Sequence, residues 1–137
     1  MSQIDDMRDL LERMYGSFAS GDAAVWTSVA ADAIGIGTDA DEWWEGREAI
    51  ARIAGTQVKE MSNAGVRLTA GDPRIFQHGD TVWSIDQPVL HLGDGTTSPL
   101  RVTAIAVSES GSLKLKHFHY SSPATNEEVF QQELTTE

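Results

Sequence analysis

The sequence predicts an α+β domain in which helices lie on one face of a curved antiparallel sheet. Three observations carry this. In the N-terminal part, apolar residues recur at three- and four-residue steps, the period of a helix face. From residue 66 onward they fall in runs of strand composition separated by turn-forming clusters. With 137 residues and 40% hydrophobic content, the chain suits a single domain with a single core.

The elements follow in order. Ile4, Met7, Leu11, Met14, Tyr15 and Phe18 share one face of a first helix. Ser20-Gly21-Asp22 ends it, and Asp22 is placed to cap a short second helix over about 23–31. Ile34 to Thr38 reads as a short strand running into an acidic turn. A third helix starts near Gly46 and reaches about Met61, with Ile50, Ile53, Ala54 and Met61 inward. Strands are expected over 66–76, 81–92, 100–108 and 113–121. Connections as short as Gln-His-Gly-Asp, Gly-Asp-Gly and Ser-Gly imply antiparallel neighbours. Pro88, inside the second of these runs, marks an edge or a bulge. The expected layout is one domain over 1–137, with its core in 4–121 and a tail over 122–137. In that tail Thr125 and Glu128 form a capping box, but only Val129, Phe130 and Leu134 are apolar. A sheet of long strands wrapped around three helices makes a cone, and its open end is a natural ligand site.

Composition excludes several functions. Ten basic against twenty-one acidic residues give a net charge of −11, which repels phosphate backbones, so no nucleic-acid partner is expected. Without cysteine there is neither a disulfide nor a thiolate nucleophile. No apolar run approaches the roughly 20 residues of a membrane span. The start, Met-Ser-Gln-Ile-Asp-Asp, is unlike a signal peptide, and the chain reads as cytoplasmic. Phosphate-binding glycine loops, dinucleotide fingerprints, nucleophile elbows and His-Glu-x-x-His are all missing, so no cofactor is expected.

Three segments carry a resemblance. They are Ile-Gly-Thr-Asp-Ala-Asp-Glu-Trp-Trp-Glu-Gly-Arg-Glu-Ala-Ile over 36–50, Pro-Leu-Arg-Val-Thr-Ala over 99–104, and Lys-His-Phe-His-Tyr-Ser-Ser-Pro over 116–123. With the element order, they make the chain resemble the nuclear transport factor 2-like superfamily, and within it the SnoaL-like and ketosteroid-isomerase-like branch, over about residues 4 to 130. The resemblance implies a cystatin-like cone and a homodimer formed through the outer face of the sheet. It implies either an isomerase, cyclase, dehydratase or hydrolase, or a non-catalytic binding domain. Ketosteroid isomerase works with a tyrosine and two acids. Tyr15 with Asp86 or Asp39 matches that in composition, but no motif places them.

Other residues suggest chemistry from their pattern. His117 and His119 are two apart on a strand, so they share a face with Leu113, Leu115 and Ser121, and the leucines point to the covered side. Such a pair serves as a proton shuttle, as half of a metal site, or as hydrogen-bonded structural residues. A metal would need a third ligand such as Asp86 or His91, which no spacing secures, and none is expected. Arg101 and Thr103 share a face with Ile105 and Val107, so Arg101 needs either a carboxylate of the 39–45 turn or an anionic ligand. Among the turn acids, Asp39 ends a strand aimed into the cone. Asp86 sits with Val82, Ser84 and Pro88 on the more polar face of its strand, as a general base or a solvated acid. Phe18, Trp26, Trp43 or Trp44, and Trp83 are candidate aromatic walls for a small apolar ligand, or simply core. Two readings remain open. One is cofactor-independent acid–base catalysis on a small apolar carbonyl compound. The other is a non-catalytic homodimeric module that binds a small ligand or regulates a partner.

Overall fold

The structure, a computed structural model, describes residues 2–137. Helix α1 (Gln3–Ser20) starts at Ser2, whose hydroxyl accepts from the Asp5 N–H at 3.1 Å, and ends at Gly21 with φ 73°. It buries Met7, Leu10, Leu11, Met14, Tyr15 and Phe18, largely the predicted face. Helix α2 (Ala24–Thr27) is shorter than expected, although the Asp22 carboxylate does accept from the Ala24 N–H at 3.0 Å. Strand β1 (Ile34–Ile36) pairs antiparallel with β2 (Trp43–Glu45), a strand in the stretch where only an acidic turn was expected. Helix α3 (Arg47–Asn63) buries Ile50, Ala54 and Val58, with Ile53 and Met61 packed beside them.

The expected four-strand meander is corrected. Two of its long strands are each broken in the middle and contribute to two sheets. Residues 66–76 divide into β3 (Arg67–Thr69) and the start of β4 (Arg74–His78). Residues 81–92 divide into β5 (Thr81–Asp86) and β6 (Val89–His91). With β7 (Thr97–Pro99), β8 (Arg101–Glu109) and β9 (Ser112–Ser121), they form a curved six-stranded sheet, β2-β1-β9-β8-β5-β4, and a three-stranded one, β3-β6-β7. Among the described residues only the β1–β9 pairing is parallel. Helix α4 (Asn126–Phe130) carries the predicted Thr125–Glu128 capping box and buries none of its residues.

The breaks have a physical cause at one residue. Pro73 and Pro88 have no N–H to give a ladder. The N–H groups freed at these corners turn to the Asp86 carboxylate, which accepts from Gly71 at 3.2 Å, Asp72 at 3.1 Å and Gln87 at 2.8 Å. It also accepts from the Tyr15 hydroxyl at 2.9 Å, so α1 is pinned to both corners. Gly71 is required there because an added Cβ would lie 2.4 Å from the Gln87 carbonyl oxygen. Burial raises the pKa of Tyr15 far above the ordinary tyrosine value, with smaller contributions from Tyr120 and Asp86. Burial likewise raises that of Tyr120, helped by Asp86.

A bulge decides which side chains face inward on β9. Ile105 pairs with His117 and Ala106 with Leu115, leaving Lys116 as an extra residue. Leu115 therefore faces the core on one side of the bulge, and Phe118 and Tyr120 face it on the other. His117 and His119 turn to the outer face, contrary to the expectation that they share a face with the leucines. The Lys116 side chain swings out to Asp32, 2.7 Å away, while the Leu115 carbonyl accepts from the Ala30 N–H.

Two outcomes are expected. Asp86→Ala should destabilise the fold by about 3–5 kcal/mol by stranding several buried donors, and Tyr15→Phe by about 1–2 kcal/mol, since it removes a single donor to a carboxylate. Urea unfolding of the two variants measures both. Tyr15 and Tyr120 stay protonated in the folded state, so the stability this confers is complete below the ordinary tyrosine pKa of 10.0 and drains away as pH rises past it. Above about pH 10 the unfolding free energy should fall by about 1.4 kcal/mol per pH unit for each tyrosine, with no such slope near neutral pH, and Tyr15→Phe should halve the slope.

Candidate functional site

The three main helices and the inner sheet face enclose a cavity of about 330 Å³. Its walls are aromatic. Phe18 comes from α1, Trp26 from α2, Trp44 from β2, and Phe118 and Tyr120 from β9. Phe118 is the hub, edge-on to Trp26 at 5.0 Å between centroids, 6.1 Å from Trp44 and 5.9 Å from Tyr120. It fits because Gly35, opposite it on β1, lacks a side chain. A Cβ there would lie 2.2 Å from the ring. Trp26 is held by its indole N–H, which donates to Ser17 Oγ at 3.0 Å, and that hydroxyl donates in turn to the Met14 carbonyl. Helix α3 contributes Ala54, Gln57, Val58, Glu60 and Met61, and Leu90 and Leu100 close another side.

Few polar groups reach this wall. Glu42 folds over Gly37, where an added Cβ would meet its carboxylate. One of its oxygens accepts from the Asp39 N–H at 2.8 Å and the other from the Gln57 side-chain amide. Tyr120, only 7% exposed, keeps a hydroxyl with no hydrogen-bond partner. Such a group costs about 1–3 kcal/mol when left unsatisfied. Among the described residues no lysine, arginine or histidine lines the cavity. A second depression, about 420 Å³ between α1 and the β8–β9 turn, is lined by Asp6, Asp9, Arg13 and Lys114 and holds none of the expected site residues.

The residues singled out in the sequence divide. Phe18, Trp26 and Trp44 line the cavity, and Trp43 does not, being 63% exposed on the opposite face of β2. Trp83 lies on the outer face, stacked on Phe76 at 5.7 Å, and leaves the wall for the same reason of strand alternation. Arg101 and Thr103 also lie on the outer face. Arg101 is exposed to water, which meets its solvation need without the carboxylate or anion expected for it. Tyr15 and Asp86 are buried and bonded to each other, behind the wall rather than in it. Asp39 is exposed, its carboxylate accepting from the Asp41 N–H within the turn. His117 Nδ1 is 2.7 Å from the Ile34 carbonyl, to which it donates, and exposed His119 stands 6.5 Å away between ring centroids. His91 bonds Thr69 instead. Among the described residues no three acids or histidines converge as a metal site would need.

The sequence reading missed Phe118, Glu42, Gln57 and Tyr120. A signal existed for Tyr120, since it has the same strand parity as Phe118 and both are aromatic. It became readable only once the bulge at Lys116 set that parity inward. Glu42 had no local signal separating it from its acidic neighbours.

Comparison with known proteins agrees with this architecture. An NTF2-like protein of unknown function from Pseudomonas putida KT2440 superposes with a TM-score of 0.80 at 18% identity, covering 100% of this chain and 98% of that one. The CaMKII hub of S. rosetta superposes at 0.71 and 20% identity, covering 90% and 98%. A protein named as a candidate ketosteroid isomerase, from Shewanella frigidimarina NCIMB 400, superposes at 0.69 and 16% identity, covering 82% and 92%. At such identities these likenesses show the fold alone. A search of curated proteins found no match. The family model of the SnoaL-like domain matches residues 7–125, and the chain therefore belongs to the SnoaL-like family.

Proposed function

We propose that this protein binds a small, mainly apolar molecule in the cavity beneath Trp44 and Phe118. The observation that carries the reading is a preformed cavity of about 330 Å³ walled by five aromatic side chains, with the Glu42 carboxylate and the Gln57 amide among its few polar groups. Ligand sites are typically apolar concavities with a few polar groups that fix orientation. Histidines on the outer face, a Tyr15–Asp86 pair bonded behind the wall and a solvated Asp39 support binding over acid–base catalysis by those five residues.

The outer sheet face supports a second proposal, that two copies meet there. Phe76, Ile85 and Trp43 are exposed large apolar residues on it, with half-buried Trp83, Ile105 and Val107 between them. Apolar patches of this kind mark association surfaces.

Trp26 and Trp44 serve as internal reporters of the cavity. Titration with adamantylmethanol, an uncharged compact apolar alcohol, should change tryptophan emission saturably. Ala54→Phe, which fills the space, should abolish the change. A titration without saturation, or one that Ala54→Phe leaves intact, overturns the reading. Tyr120→Phe should raise the stability of the protein by about 1 kcal/mol, because it deletes an unpaired buried hydroxyl. Sedimentation velocity tests the dimer: Phe76→Asp combined with Ile85→Asp should convert it to monomer.

A further inference from the structure

We infer that the ligand of this cavity is an organic cation, an apolar skeleton bearing a protonated amine. The inference rests on the ligand-binding reading above and adds the charge of what is bound. Its ground is the pairing of wall chemistries.

Five aromatic rings surround the space, two of them the tryptophans Trp26 and Trp44. Indole faces attract cations more strongly than other side-chain rings do, and the attraction grows as water is excluded. The charged groups of the wall are Glu42 and Glu60, both acids, with no cationic side chain to balance them. Glu60 is exposed at the rim, whereas Glu42 is half-buried and held in place from both sides by the Asp39 N–H and the Gln57 amide. Each Glu42 oxygen therefore has one donor and retains capacity for another. A carboxylate fixed in an aromatic wall opposes a carboxylate or phosphate ligand. It also supplies the counter-charge that an ammonium group needs when it leaves water. The net charge of −11 acts in the same direction over longer range, drawing cations toward the molecule.

A matched trio on one skeleton tests this: adamantylmethylamine, adamantylmethanol and adamantane carboxylate, each titrated calorimetrically into the intact protein near neutral pH. The amine should bind at least about tenfold more tightly than the alcohol, and the carboxylate at least about tenfold more weakly. Glu42→Gln should reduce the advantage of amine over alcohol to about twofold or less, and its thermal unfolding shows whether the variant keeps its fold. Equal binding of amine and alcohol, or tightest binding by the carboxylate, overturns the assignment of charge and leaves the cavity as a neutral site. If none of the three binds, the ligand-binding reading itself falls.

Discussion

The Asp86 carboxylate is the constraint on which the rest of the fold depends. It gathers the N–H groups of Gly71, Asp72 and Gln87 and the hydroxyl of Tyr15 around one buried acid. Those N–H groups belong to the two corners where a long strand leaves the six-stranded sheet and joins the three-stranded one. A corner of this kind takes backbone donors out of their ladder, and buried donors must be paired somewhere. By pairing them through one side chain, the chain turns both strands at once. Leu90 and Leu100 are thereby carried across the helices to close a side of the cavity. An acid that resembles a catalytic base in sequence thus does architectural work.

The bulge at Lys116 is the second determinant, and it acts through parity. A strand has a two-residue period, so one inserted residue exchanges its faces beyond the insertion. Upstream, Leu115 packs into the core. Downstream, Phe118 and Tyr120 take the inner side and the histidines the outer. The bulge is stabilised locally, since the Leu115 carbonyl accepts from Ala30. The exposed Lys116–Asp32 ion pair beside it adds little, as exposed pairs generally do.

The cavity itself balances close packing against open space. Gly35 lets Phe118 sit flush against β1, and Gly37 lets Glu42 fold over the strand end. Both glycines are needed for what approaches them rather than for an unusual backbone, since neither has a positive φ. Against this tight floor, the Tyr120 hydroxyl remains unpaired, and so does Ser84 Oγ, fully buried on β5.

The sequence by itself determined the class of fold, the helices and the strand-rich second half, and it offered Phe18, Trp26 and one of Trp43 and Trp44 as wall or core without deciding between them. These are consequences of local periodicity and capping, which act over a few residues: the inward face of α1, the Thr125 cap and the aromatic run around Trp44 are all of this kind. Only the tertiary structure decided which face of each strand is inside, where the long strands break, and which acid meets the cavity. The reason is that each depends on a partner far along the chain. Asp86 needs Tyr15 and Gly71, Phe118 needs Gly35, and Glu42 needs Gln57. A one-residue bulge leaves no mark in composition or period, yet it turns two histidines from the cavity to the outer surface.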